Sequence, residues 1–234
     1  MILEDRSHIL IDAIALIWFL LLWFGYGKLA DSGVFKGTTL VKAMHRYRLQ
    51  WVKQMIHRSE RLVDVRIVGN LLQTSTFLAS TSVLIIGGLF AVLGYGDRAL
   101  PILQRLPYVQ DTPDYMWTVK TIFLIFIFVY SFFKLTWIIR QYNFVSVIML
   151  AAPVNRPGED SLEDLKKQTK YISKISALLT NSARHFNNVV RSYYFACVAL
   201  SWYISPFLMI ALSIIVVMVL YRREFKSRTF DKIV

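Results

Sequence analysis

Four long apolar stretches, separated by polar segments, dominate the pattern along the chain. They cover residues 9–29, 71–94, 117–139 and 193–221. A helix needs about 20 mostly apolar residues to cross the hydrocarbon core of a bilayer, and each stretch is long enough. The fourth stretch holds Pro206 near its middle. Because proline removes a backbone donor, we expect a kinked, strongly tilted or re-entrant helix there.

The two longest polar segments also have helical patterns. In residues 36–66, apolar side chains recur at steps of three and four: Leu40, Met44, Tyr47, Trp51 and Met55. This spacing predicts an amphipathic helix that either lies on an anionic leaflet or packs on a neighbouring helix. In residues 160–188, apolar side chains recur every seven residues, at Leu165, Ile172, Leu179 and Phe186. Heptad spacing predicts helix pairing, within one chain or between subunits.

These patterns predict an all-α fold, an integral membrane four-helix bundle with additional amphipathic cytoplasmic helices. Residues 1–234 would form a single membrane domain. Composition agrees, since 56% of the residues are hydrophobic, more than a soluble domain of this length could bury. The net charge of +12 favours an anionic partner. In a membrane protein we expect that partner to be anionic lipid and not nucleic acid.

The distribution of Lys and Arg predicts the orientation in the membrane. Residues 31–70 and 140–191 hold eight each, whereas residues 95–116 hold two. The positive-inside rule therefore places both long loops in the cytoplasm and both termini on the opposite side of the membrane. The tail, residues 221–234, holds five basic residues and conflicts with this orientation.

Polar side chains collect where the apolar stretches meet the long loops. Eight of them are predicted to bind an anion or a lipid phosphate: Arg66, Asn70, Arg140, Tyr142, Asn143, Arg184, Asn187 and Arg191. Charges at membrane depth are costly unless paired or hydrated, so such residues are functional sites, structural locks or interfacial anchors. We expect Asp64 to pair with Arg140 or Arg191, which leaves other guanidinium groups for an anion.

Polar residues also lie within the stretches. Gln73, Thr76 and Ser80 share one face of the second stretch. Together with Lys134 of the third stretch, they are predicted to line a polar path or to pack closely between helices. In the first stretch, Asp12 is predicted to pair with Lys120.

Signals for catalysis are weak. The four histidines lack metal-ligand spacing, and the chain has neither a Gly-rich phosphate loop nor a nucleophile motif. Cys197 is the only cysteine, which rules out a disulfide within the chain and a Cys-based metal site. The sequence therefore predicts no catalytic residue, no cofactor and no metal, and the protein is not expected to be an enzyme.

Several segments carry a family resemblance. They are DVRIVGNLLQTSTFLASTSVLIIGGLFAVLG, FFKLTWIIRQYNFVSVIMLAAP and RHFNNVVRSYYFACVALSWYISPF, followed by LYRREFKS. With their RQYN and FNxxxRxYYFA elements, they resemble the bacterial and plant membrane family named domain of unknown function 599. The resemblance implies a four-span inner-membrane protein, without a role for any residue. It marks as motif positions Arg66, Asn70, Lys134, Arg140, Tyr142, Asn143, Arg184, Asn187, Arg191 and Tyr193.

The sequence leaves two functional hypotheses open. The first is a homo-oligomeric, channel- or transporter-like protein with an Arg-rich anion or lipid site on its cytoplasmic side. The second is a non-transporting scaffold or accessory subunit of a larger membrane complex, in which the polar faces are contact surfaces between proteins.

Overall fold

The computed structural model describes residues 2–32, 40–95, 114–154 and 162–225, and the regular structure in these ranges is entirely helical. The helices are α1 (Ile2–Ser32), α2 (Leu40–Ile56), α3 (Leu62–Gly94), α4 (Asp114–Ala151), α5 (Leu162–Leu200) and α6 (Pro206–Phe225), with a 3₁₀ turn at Ser201–Tyr203. The predicted all-α class is thus confirmed. Among the described residues, four segments are long and apolar enough to cross a membrane: Ile9–Ala30, Leu62–Gly94, Tyr115–Ala151 and Pro206–Phe225.

The fourth apolar stretch, residues 193–221, is not one kinked helix. α5 ends at Leu200, the 3₁₀ turn follows, and α6 begins at Pro206. Ser201 O accepts hydrogen bonds from the N–H groups of Ile204 and Ser205, which closes the turn. Proline suits the first position of a helix because the N–H there has no intrahelical partner. Pro206 therefore starts a new helix that folds back on α5.

Contacts along α1 give the direction of the last helices. Asp12 meets Trp202 of the 3₁₀ turn, Trp18 meets Ser213, and Tyr26 meets Glu224. α1 and α6 therefore run parallel to each other. The last turns of α5 run antiparallel to both, because Arg191 also meets Glu224 and α5 ends at the turn.

The molecule thus has two ends, which we name the turn end and the basic end. The turn end holds the 3₁₀ turn with Asp12 and Lys120. The basic end holds the last turn of α6, including Arg222 and Arg223. The last turns of α5 form an additional pass between the two ends. As a result, the start of α1 and the end of α6 lie at opposite ends of the molecule. The side of the membrane on which each terminus lies stays a prediction.

Two hydrophobic cores lie along α4 and α5. The aromatic core packs α1, α4, α5 and α6 around large rings, including Phe19, Trp23, Phe195 and Trp202. The aliphatic core, nearer the basic end, packs α2, α3, α4 and α5 around Val52, Ile138, Val145, Met149 and Ile175. Because α4 and α5 contribute to both, the cores belong to one continuous bundle. α2 packs against α5, one of the two placements that its pattern predicted.

Candidate functional site

The eight predicted binding residues are all described, and they fall into three environments. Tyr142 and Asn187 line one cavity, and Arg191 lines another. The other five are exposed on three different helices: Arg66, Asn70, Arg140, Asn143 and Arg184. Of the RQYN element, only Gln141 and Tyr142 are buried. Gln141 Oε1 accepts a hydrogen bond from Ser182 Oγ at 2.8 Å, which ties α4 to α5.

The first cavity, of about 250 Å³, lies where α2, α3, α4 and α5 meet. Its polar lining consists of Arg48, Trp51, Thr74, Tyr142 and Asn187. The remaining lining is apolar and includes Met44, Leu71, Leu179 and Phe186. Such a mixture of a largely apolar wall with a few polar groups is typical of sites for small amphipathic ligands.

Arg48 is the cation of this cavity. Its Nη1 atom is buried and has no hydrogen-bond partner among the described residues. Burial lowers the pKa of Arg48, and its interaction with Tyr142 opposes that shift. Guanidinium groups stay protonated even when partly buried, so the cavity carries a positive charge.

Asp64 forms a separate lock beside this cavity. Its Oδ1 atom accepts hydrogen bonds from Trp51 Nε1 at 2.6 Å and from Arg58 Nη1 at 2.8 Å. The expected pairing of Asp64 with Arg140 or Arg191 was therefore wrong, because Arg58 lies six residues away on the short connection from α2 to α3. The lock also holds the ring of Trp51 against the cavity.

Arg61 closes the end of α4. Its guanidinium donates to the carbonyl oxygens of Met149 at 2.8 Å and Pro153 at 2.9 Å, and also to that of Ala152. These carbonyls have no partner within the helix, and the C-terminal end of a helix dipole favours a cation. Burial lowers the pKa of Arg61, while the nearby charge of Asp64 opposes that shift. Arg61 is thus occupied by backbone oxygens and has a structural role.

Arg191 is also occupied. Its Nε and Nη2 atoms lie 2.8 and 2.7 Å from Glu224 Oε1, and both side chains are buried. The Tyr26 hydroxyl donates a hydrogen bond to Glu224 Oε2 at 3.1 Å. The side chains of Tyr26, Arg191 and Glu224 thus connect α1, α5 and α6. A cavity of about 550 Å³ adjoins it and is also lined by Lys28 and Asn188. Because Glu224 neutralises it, Arg191 acts as a lock between helices.

The predicted pair of Asp12 and Lys120 is confirmed at the turn end. Lys120 Nζ lies 3.7 Å from Asp12 Oδ1, and both residues are buried. Trp202 bridges them, since its Nε1 donates to Asp12 at 2.6 Å and its carbonyl accepts from Lys120 at 3.0 Å. The group holds the 3₁₀ turn against α1 and α4.

The polar face of α3 is exposed. Gln73, Thr76 and Ser80 are exposed, whereas Ser75, Ala79 and Ser82 of the same helix are buried. Between the described helices of one chain, this face therefore lines no path. Lys134 lies on α4, half-buried, with its ammonium 5.6 Å from the ring centre of Tyr130.

Sequence reasoning missed Arg48, Arg61 and Glu224 as key residues. A signal for Arg48 was present, because it lies four residues after Met44 and three before Trp51. It thus interrupts the apolar stripe of α2 with a charge. Arg61 and Glu224 carry no comparable signal, since their partners lie on other helices. Among the described residues, no group of three or more His, Cys, Asp or Glu side chains could hold a metal ion.

Comparison with known proteins gives a family match. The profile of the family described as "Protein of unknown function, DUF599" matches residues 14–229. No curated protein and no solved structure matches the chain. Since residues 14–229 make up most of the 234-residue sequence, the chain belongs to the family described as "Protein of unknown function, DUF599".

Proposed function

We propose that this protein is a homo-oligomeric membrane protein that forms a channel- or transporter-like polar path between its subunits. The single observation that supports it best is the exposed polar face of α3, which comprises Gln73, Thr76 and Ser80. α3 is also the least buried of the four candidate spans. In the most apolar 18-residue segment of each span, 11% of α3 is buried, compared with 39% of α4. A second copy is the partner that we assign to this face.

Energetics favour covering this face. A polar side chain facing hydrocarbon is unfavourable, so the Gln73 amide needs either a partner helix or water. Gly87 and Ala91 lie four residues apart on the exposed side of the same helix, and small residues let two helices approach closely. The aromatic core fills the space between α1, α4, α5 and α6 with rings. We therefore place the path between copies and not within one chain.

The basic end is assigned to the cytoplasm of a bacterial inner membrane. Arg222 and Arg223 lie at this end, as does Arg61, which contacts the end of α4. Because Arg222 and Arg223 lie at the same end as Arg61, assignment of this end to the cytoplasm agrees with the positive-inside rule. Anionic lipids are the partners expected at this end, and nucleic acid is not.

A scaffold without a path is the second candidate, and the hydroxyl groups of α3 favour it. Thr74, Thr76 and Thr81 each donate to the carbonyl four residues earlier, so their hydroxyls need no water. In that case, the α3 face would be a dry contact with another copy or with a different membrane subunit. The proposal in either form contains no catalytic step.

Cysteine chemistry separates the two candidates. In a Cys197→Ser background, Ser80→Cys should form a disulfide-linked dimer on oxidation, while Phe126→Cys, on an exposed face of α4, serves as the matched control. Reaction of Ser80→Cys with a charged, membrane-impermeant thiol reagent, together with altered ion flux in proteoliposomes, would support the path. Cross-linking without such reaction would support the scaffold. Failure of Ser80→Cys to cross-link above the control level would overturn the contact between copies, and with it both the path and a scaffold built from identical subunits.

A further inference from the structure

We propose that the cavity between α2, α3, α4 and α5 binds the phosphodiester group of a membrane phospholipid, with Arg48 as its cationic ligand. The inference is independent of how the α3 face is covered, because the residues that carry it belong to one chain. It assigns a ligand class to a cavity in which only Tyr142 and Asn187 belong to the predicted binding set.

Arg48 differs from the other buried or bonded arginines in its partners. Arg58 pairs with Asp64, Arg61 with backbone carbonyl oxygens, and Arg191 with Glu224. Arg61 Nε is buried without a partner, but the two Nη atoms of Arg61 are bonded. The guanidinium of Arg48 makes no hydrogen bond or ion pair with a described residue, and its Nη1 atom is buried. A buried cationic donor without an acceptor is costly, and an anion in the adjoining cavity would remove that cost.

Three hydrogen-bond donors along the cavity wall remain available for a ligand. Trp51 Nε1 already donates to Asp64, and Thr74 Oγ1 already donates to the carbonyl of Asn70. This leaves the guanidinium of Arg48, the amide of Asn187 and the hydroxyl of Tyr142 along the cavity wall. Guanidinium, amide and phenol groups are all donors to phosphate oxygens.

The cavity also has an uncompensated charge. Of the described residues that line it, Arg48 is the one basic side chain and none is acidic. The nearby carboxylate of Asp64 is already bound by Arg58. One uncompensated positive charge matches a singly charged phosphodiester better than doubly charged inorganic phosphate.

The apolar wall of the cavity favours a lipid over a free anion. This wall includes Met44, Leu71, Leu179 and Phe186. A free inorganic anion would make no favourable contact with these apolar side chains. Leu71 belongs to α3, one of the candidate spans, near the end where α3 begins. A lipid could therefore place its phosphate beside Arg48 while its glycerol and acyl carbons contact the apolar wall.

Native mass spectrometry of the full chain in detergent tests this proposal. The wild-type protein, incubated with phosphatidylglycerol, should retain one strongly bound lipid per chain. Arg48→Gln should reduce that retention by roughly tenfold or more, because a charge-assisted hydrogen bond is lost. Arg46→Gln removes an exposed charge from the same helix and should leave retention unchanged.

A second variant protects the test against misfolding of Arg48→Gln. Ala183→Phe keeps Arg48 but fills the cavity, so it should also lower lipid retention. Wild-type retention by both variants would overturn the proposal. Binding of inorganic phosphate that depends on Arg48, with no retained lipid in the wild-type protein, would overturn the lipid assignment.

Discussion

The buried charged side chains around the aromatic core differ in their bonding partners from those beside the aliphatic core. Around the aromatic core, Asp12 pairs with Lys120 and Arg191 pairs with Glu224. Beside the aliphatic core, Arg61 and Asp64 are also bonded, although Arg61 Nε and Asp64 Oδ2 are buried without a partner. Arg48 differs because its guanidinium lines a cavity and makes no hydrogen bond or ion pair with a described residue. Paired charges lock helices together, whereas an unpaired charge at a cavity is typical of a binding site. We therefore propose that the buried charges of the first region stabilise the fold and that Arg48 of the second region binds a ligand.

Breaking the Arg191 lock should have the largest effect. Glu224→Ala leaves the buried guanidinium without its carboxylate and removes the acceptor of Tyr26. We expect the free energy of unfolding to fall by about 3–5 kcal/mol, as for other broken buried ion pairs. Thermal unfolding in detergent measures it. Arg222→Ala, an exposed change in the same turn, is the control, and equal stability of the two variants would refute the lock.

Removing the cap of α4 should have the next largest effect. Arg61→Ala leaves carbonyl oxygens at the end of α4 without their charged donor. We expect a loss of about 2–3 kcal/mol, since hydrogen bonds to charged groups are the stronger ones. Chemical denaturation followed by circular dichroism measures it, with the exposed Arg66→Ala as control. A loss no larger than that of the control would mean that the cap does not stabilise α4.

Asp64 links stability to the cavity. Asp64→Ala leaves Trp51 Nε1 without its acceptor, and we expect a loss of about 1–2 kcal/mol. Because Trp51 also lines the cavity, lipid retention should fall in the same variant. Glu60→Ala, which removes an exposed carboxylate nearby, should change neither quantity. If lipid retention stays at the wild-type level, the hydrogen bond between Trp51 and Asp64 does not contribute to lipid binding.

The smallest effect on folding should come from the exposed face of α3. Gln73→Leu should change the free energy of unfolding of the chain by no more than about 0.5 kcal/mol, because this side chain is exposed. It should nevertheless shift the population from oligomer towards monomer in size-exclusion chromatography with light scattering. Asn143→Leu removes an exposed amide from α4 as the control. An unchanged oligomer would exclude Gln73 from the subunit contact.

Hydropathy predicted the spans better than it predicted their connections. Apolar runs identify the segments that cross, but they do not tell a continuous helix from two helices joined by a turn. For this reason, residues 193–221 were predicted to form one span, although Ser201–Tyr203 forms a 3₁₀ turn within them. Pro206 was noticed, yet proline can kink a helix or begin one. The break at Ser201–Tyr203 places the start of α1 and the end of α6 at opposite ends of the molecule.

Charge pairing was predictable only where few partners existed. Lys120 was the obvious basic residue at the depth of Asp12, and this pair was predicted correctly. For Asp64 many arginines were available, and its real partner, Arg58, lay on the connection to the same helix. The partner of Arg191 is Glu224, which lies in the C-terminal segment. That segment was predicted to lie on the other side of the membrane. Partner choice depends on tertiary packing, which a single sequence does not encode locally.

An experimental structure of the full chain in lipid nanodiscs containing phosphatidylglycerol would test lipid binding at Arg48 most directly. We expect phosphate density within hydrogen-bonding distance of Arg48 Nη1, with lipid carbons against Phe186 and Leu71, while the Arg191 to Glu224 pair contacts no lipid. An empty cavity, or Arg48 bonded to a carboxylate of the protein itself, would contradict it.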